Sequence, residues 1–179
     1  MPRHPFVRFT SDNGGEINVT SNAPLRAGKS SLYEGGIRVP LIVRWPQVVP
    51  PGEVCNTPTS NVDFYPTLLA CADVKPDPQQ RLDGVSILPL LKNPQAKLDR
   101  DALFWHYPLE DPHFLGGRSS GAIRQGNWKL IEFFDTDTIE LYNLARDPSE
   151  QDDLADEHPD KTAELIRRLA KWRRDIANE

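Results

Sequence analysis

The run Pro5-Phe6-Val7-Arg8-Phe9-Thr10-Ser11-Asp12-Asn13-Gly14-Gly15 decides how the rest of the chain is read. Its aromatic and β-branched residues predict a short strand over Pro5 to Thr10, and Asn and Gly, strong turn formers, end that strand at once. A carboxylate and an amide oxygen just past a strand end are hard ligands, suited to calcium or magnesium rather than zinc. Side chains of neighbouring strand residues point apart, but beyond the strand both can turn toward one ion, and Gly14 and Gly15 supply the backbone freedom. In open α/β sheets ligands also sit beyond the carboxyl ends of strands. The same residues spell an ordinary hairpin turn, and taken alone they favour that plainer reading.

Downstream, Ile17 to Ser31 is polar and small and predicts an irregular loop. It contains Leu25-Arg26-Ala27-Gly28-Lys29, where a lysine beside a glycine can bring a point charge close to an anionic ester; by composition alone Lys29 is a solvated surface residue. In Tyr33-Glu34-Gly35-Gly36-Ile37-Arg38-Val39-Pro40, Glu34 and Arg38 can bond to each other or to backbone and hold the loop. Val39 to Trp45, bounded by Pro40 and Pro46, suits a buried strand near a sheet edge. Asn61-Val62-Asp63 and the following Phe64 to Cys71 read as a capped helix that tolerates Pro66 in its first turn. Val74 to Arg81 is a proline-rich connector and Gly84 to Leu91 a short apolar helix or turn.

A boundary is expected near Asn93 to Arg100, dividing the chain into domains 1–95 and 96–179. Beyond it Ala102 to Trp105, Gly121 to Arg124, Trp128 to Phe133 and Ile139 to Asn143 are strand-like, with hairpin turns at Gln125-Gly126-Asn127 and Asp135-Thr136-Asp137. A small antiparallel sheet follows. Pro159 then opens a helix to about Ala177, with Leu165, Ile166, Leu169, Trp172 and Ile176 along one stripe that should cover the sheet.

Bulk properties exclude several function classes. An apolar share of 38% and a charged share of 26% describe a globular composition rather than a disordered one. A formal net charge of −5, with arginines interleaved among acids, argues against general nucleic-acid binding. No apolar run approaches the roughly 20 residues of a membrane span, and the first residues lead into no signal-peptide core. Cys55 and Cys71 read better as small buried thiols than as a pair.

Taken in order, Phe9-Thr10-Ser11-Asp12-Asn13-Gly14-Gly15, Leu25 to Lys29 and Tyr33 to Pro40 resemble the second half of the type I sulfatases, of the alkaline-phosphatase-like superfamily. Val62-Asp63-Phe64-Tyr65-Pro66-Thr67 is similar to that family's helix with Asp-x-x-Pro-Thr, and Leu82-Asp83-Gly84-Val85-Ser86 to its Leu-Asp-Gly-x-Ser turn. Trp128-Lys129-Leu130, Glu140-Leu141-Tyr142-Asn143-Leu144, Asp147-Pro148 and Glu150 are similar to its C-terminal sheet. Any one motif is weak; their common order from Phe9 to Leu154 is specific.

The resemblance implies an α/β fold: the C-terminal portion of the catalytic domain over 1–95, then a small four-stranded antiparallel sheet packed by a C-terminal helix over 96–179. It implies sulfuric ester hydrolysis of an aryl or carbohydrate sulfate, with calcium and a formylglycine nucleophile as the family's equipment. Asp12 and Asn13 match two calcium ligands, and Lys29 the catalytic lysine that contacts sulfate. His106, in Phe104-Trp105-His106-Tyr107-Pro108, matches an aromatic-histidine segment able to reach the substrate's leaving group, and equally suits a histidine bonded within the sheet. His113 has no role from sequence.

The family makes formylglycine within Cys/Ser-x-Pro-x-Arg. Cys55 is followed by Asn56-Thr57-Pro58-Thr59, with the proline one place late and no arginine, and Cys71 by Ala72-Asp73-Val74-Lys75. With neither that segment nor the two earlier aspartate ligands present, the chain alone is expected to be inactive. The resemblance also implies a periplasmic or secreted location. Two other readings stay open: a phosphatase or phosphonate hydrolase of the same superfamily, and a non-catalytic remnant or module binding sulfated glycans.

Overall fold

The structure is a computed structural model and describes residues 5–177. They group into two compact units, one taking the described residues up to Asp12 with Pro40–Asp101, the other Asn13–Val39 with the described residues from Ala102 onward. The units interleave along the chain, unlike the sequential division expected at residue 95. The reason lies in the second unit, where Leu32 is buried among sheet residues and Glu34 is ion-paired to a sheet lysine.

In the first unit β1 (Val7–Thr10) and β2 (Leu41–Arg44) form an antiparallel ribbon in which Val7 faces Arg44 and Thr10 faces Leu41. The segment expected to be a buried strand is only partly so: Ile42 is 60% exposed and its partner Phe9 63%. The side chains alternate, and the opposite face carries the burial. There Phe6, Arg8, Leu41 and Val43 line a small cavity with Phe64, Thr67, Leu68 and Ile87. Ser60 and Asp63 make a capping box over the 3-10 turn Asn61–Asp63 that leads into α2 (Phe64–Cys71). α3 spans Leu88–Lys92. Both cysteines are free, and Cys55 is exposed rather than buried; its thiol reaches the Pro94 carbonyl at 3.4 Å.

The second unit holds α1 (Glu34–Ile37), then β3 (Ala102–Tyr107), β4 (Ser120–Gln125), β5 (Trp128–Phe133) and β6 (Thr138–Asn143), and last α4 (Pro159–Ala177). The strands pair in sequence order, every pair antiparallel. Strand alternation gives the sheet two different faces. Ala102, Ile123, Leu130 and Leu141 are buried with Leu165 and Leu169 of α4, and Phe104 stacks on Trp172 with centroids 5.0 Å apart. Ala122, Ile131, Phe133 and Tyr142 point the other way and pack with Leu32, Tyr33 and Ile37. The fold is thus mixed α/β, with a helix on one side of the sheet and the 13–39 segment on the other.

Among the described residues no helix is long and apolar enough to cross a membrane.

Candidate functional site

Asp12 and Asn13 occupy a bend immediately past β1, Asp12 exposed and Asn13 half-buried. The strand end and the turn expected there are both present. Asn13 leads into Gly14, whose N–H donates to the Gly36 carbonyl at 2.8 Å. A side chain at Gly14 has no room: a Cβ would stand 1.7 Å from the Gly35 oxygen. Only glycine lets the Gly14 backbone lie this close to α1.

The Lys29 loop is tied to the Gly14-Gly15 segment. Lys29 donates its N–H to the Gly15 carbonyl at 3.1 Å, and a Cβ at Gly28 would meet that carbonyl at 2.3 Å. Asn22 fastens the two further: Gly15 N–H donates to Asn22 Oδ1 at 2.9 Å, and Asn22 Nδ2 donates to the carbonyls of Gly15 at 2.8 Å and Ala27 at 3.1 Å. Sequence reasoning missed Asn22, an ordinary residue of a polar loop whose role exists only once the loop closes. Lys29 itself is exposed. On either side of Gly28-Lys29, Ala27 (φ 58°) and Ser30 (φ 74°) adopt left-handed backbone although neither is glycine. Such conformations cost on the order of 1 kcal/mol or more each and persist where surroundings over-determine them.

The loop rests on α1, and α1 rests on charge. Glu34, 1% exposed, meets Lys129 of β5 with Oε1 to Nζ at 2.9 Å. Lys129 is also 2.8 Å from Glu150, whose Oε2 accepts the Glu34 N–H at 2.6 Å. Arg124 and Arg38 approach Glu34 Oε2 at 3.6 and 3.7 Å, so the structural role expected of Glu34 and Arg38 has this physical form. Burial pushes the Glu150 carboxyl above its ordinary value, against the pull of Lys129. Arg26 bridges the loop to the sheet, donating to the Tyr142 hydroxyl at 2.9 Å and the Glu150 carbonyl at 2.8 Å. Desolvation and the Glu140 carboxylate hold the Tyr33 and Tyr142 phenols un-ionised.

His106 is not brought to this loop. Its register opposite Gly121, beside Phe104, puts it on the α4 face of the sheet, where its ring lies 5.6 Å from Phe134. Desolvation and the Arg173 guanidinium lower its pKa, with Glu132 opposing. The 13–39 segment covers the other face, and His106 is exposed at its own. His113 opens a compact turn: its Nδ1 accepts the Leu115 N–H at 3.2 Å, and the turn's Gly117 lies against Ser30, beside Lys29.

As a metal site the bend offers one carboxylate and one amide oxygen, a donor set that fits a hard cation such as calcium and fills only part of its shell. Among the described residues no group of three or more His, Cys, Asp or Glu is placed to hold a metal.

The sequence matches the family model described as N-sulphoglucosamine sulphohydrolase, C-terminal, over residues 27–177. It is 38% identical to a sulfatase of Formosa agariphila, covering 96% of this chain and 33% of that protein. It is 41% identical to the steryl-sulfatase of Homo sapiens, covering 57% and 19% respectively. Among solved structures it is similar to Ps i-CgsB, with a TM-score of 0.79 at 33% identity, covering 93% of this chain and 36% of that one. A second, BT4656 in complex with its substrate D-glucosamine-2-N,6-O-disulfate, gives 0.78 at 30% identity, covering 97% and 35%. The chain therefore spans about a third of the length of the first of these curated relatives. A lysine loop bonded to the Gly14-Gly15 backbone and a sheet-plus-helix unit, in a chain matched almost throughout, have one common reading: the chain belongs to the sulfatase family, in its C-terminal portion.

Proposed function

We propose that these residues are the C-terminal part of a sulfuric ester hydrolase. Asp12 and Asn13 give two oxygen ligands to calcium, and Lys29 contacts the sulfate group. The observation that carries this reading is the hydrogen-bonded junction of Gly14-Gly15 with Lys29, Asn22 and Gly36, which makes one loop of Asn13 and Lys29. Strain at Ala27 and Ser30, on either side of Gly28-Lys29, supports it further.

When bound, calcium and the family's formylglycine supply Lewis acidity and the nucleophile. The chain's own contribution is electrostatic and positional. Asp12 and Asn13 orient oxygen ligands from a fixed bend, and the Lys29 ammonium, on a loop whose backbone is already bonded, favours charge developing on sulfate oxygens. A preorganised charge needs little reorganisation during the reaction.

Sulfatases account for each relative described above, which favours a sulfate over a phosphate or phosphonate ester. The glucosamine disulfate bound by a structural relative supports a sulfated sugar as substrate, and the steryl-sulfatase likeness an aryl or steryl sulfate. A periplasmic or secreted location goes with this reading.

The test is kinetic, in the full-length protein. Lys29→Ala is expected to lower kcat/KM for p-nitrophenyl sulfate by about 10²–10³-fold, the usual cost of one preorganised donor, with the fold intact by circular dichroism. An unchanged rate would remove Lys29 from the site.

A further inference from the structure

The buried charges beneath α1 do not touch the candidate calcium or sulfate groups, yet they are bonded to the backbone that leads there. Lys129 and Glu150 are each 0% exposed and Glu34 1%, on the sheet face that also buries Ala122, Ile131 and Phe133. Burying such ions is costly, and apolar replacements of similar volume are often as stable or more so. A further cost is local: Glu150 sits at φ 54°, where glycine would be cheaper, yet carries the longest acidic side chain.

The contacts show what the cluster fixes. Lys129 Nζ, projecting from β5, holds Glu34 Oε1 at 2.9 Å. Glu150 Oε2 accepts the N–H of Glu34, the first residue of α1, at 2.6 Å. The helix is thus gripped at both backbone and side chain by groups of the sheet unit. From α1 the bonds run outward to the candidate site: Gly35 N–H donates to the Arg26 carbonyl at 2.9 Å, and the Gly36 carbonyl accepts from Gly14 at 2.8 Å. Gly14 adjoins Asn13, and Arg26 opens the turn carrying Gly28-Lys29. A helix of only four residues, two of them glycine, has little stability of its own.

We infer that Lys129 and Glu150 are positioning residues: through Glu34 and α1 they set the backbone that carries Asn13 and Lys29. In this arrangement the C-terminal sheet is the part of the fold that fixes one wall of the site. The inference rests on the sulfatase reading only where activity is measured.

Hydrogen–deuterium exchange of the full-length protein tests it, comparing wild type with Lys129→Met and Glu150→Gln. Exchange at the amides of Gly14, Lys29 and Gly35 is expected to rise by about tenfold or more, while β4 and β5 stay within about twofold, since local openings report local stability. Unchanged exchange at those amides would overturn the inference. So would an equal rise across the sheet, which marks a residue that merely stabilises the sheet. If Lys129→Met does not fold, Glu150→Gln, which keeps an acceptor for the Glu34 N–H, decides alone. In the kinetic arm Glu150→Gln is expected to lower kcat for p-nitrophenyl sulfate about tenfold with a smaller change in KM, the mark of misplaced rather than missing groups. A wild-type protein without sulfatase activity would sink the functional reading and leave the exchange comparison to judge this one.

Discussion

Asp63 shows how one side chain turns a sequence motif into a fold constraint. It is fully buried, and its carboxylate takes a two-pronged ion pair from Arg100, with Nη1 to Oδ1 at 2.6 Å and Nη2 to Oδ2 at 2.9 Å. The same oxygens accept the N–H groups of Ser60 at 2.8 Å and Val85 at 3.0 Å. Four residues on, the Thr67 hydroxyl donates to the Asp63 carbonyl and accepts the Ile87 N–H. Asp-x-x-Pro-Thr and Leu-Asp-Gly-x-Ser are therefore two halves of one joint, in which the second segment's backbone is hydrogen-bonded to the first one's side chains. Arg100 lay in the expected boundary region and carried no signal. Removing it leaves a buried carboxylate without its counter-charge, a loss of about 3–5 kcal/mol for a pair of this kind. Arg100→Ala is thus expected to lower the urea midpoint sharply without changing the slope, whereas an unfolding free energy within about 1 kcal/mol of wild type would show the pair to be dispensable.

At the level of elements, α4 and the sheet strands were the most legible. Leu165 and Leu169 on the predicted stripe are fully buried, and alternation put Ile123, Leu130 and Leu141 in the core. Both signals are local and periodic, so a single sequence contains them. α1 was not legible, since Glu-Gly-Gly-Ile has no helical preference and the element exists through contacts with Lys129 and Glu150. Those partners lie 95 and 116 positions away, beyond any pattern read along the chain. Strand register, also set by a distant partner, assigns His106 to the helix face. That placement has a pH consequence. Desolvation and Arg173 lower its folded pKa, Glu132 acting in opposition, so below the ordinary histidine value the unfolded chain binds the proton more readily. The stabilising contribution is then present above about pH 6.5 and lost as pH falls through the lowered folded value. His106→Phe is expected to flatten the thermal-stability profile in that window, and a profile identical to wild type would exclude His106 as its source.

Across the whole molecule, the sequence order of motifs identified the family and the matched length limits what these residues do alone. Calcium takes about six to eight oxygens, whereas the bend offers the side chains of Asp12 and Asn13. The loop beside it supplies a positive charge but no nucleophile: neither Cys55 nor Cys71 heads a Cys-x-Pro-x-Arg segment, and no serine does. A cation held by so few ligands and stabilising only the native state adds RT ln(1 + [L]/Kd), about 0.4 kcal/mol when its concentration equals the dissociation constant. The 179-residue polypeptide by itself is accordingly expected to show no turnover of p-nitrophenyl sulfate and almost no rise in Tm with millimolar calcium chloride. A calcium-dependent rise of several degrees would mean that other oxygens of this chain complete the shell. Turnover in a preparation free of other sulfatases would mean more, since a nucleophile outside the family's formylglycine segment would then have to be sought among these residues.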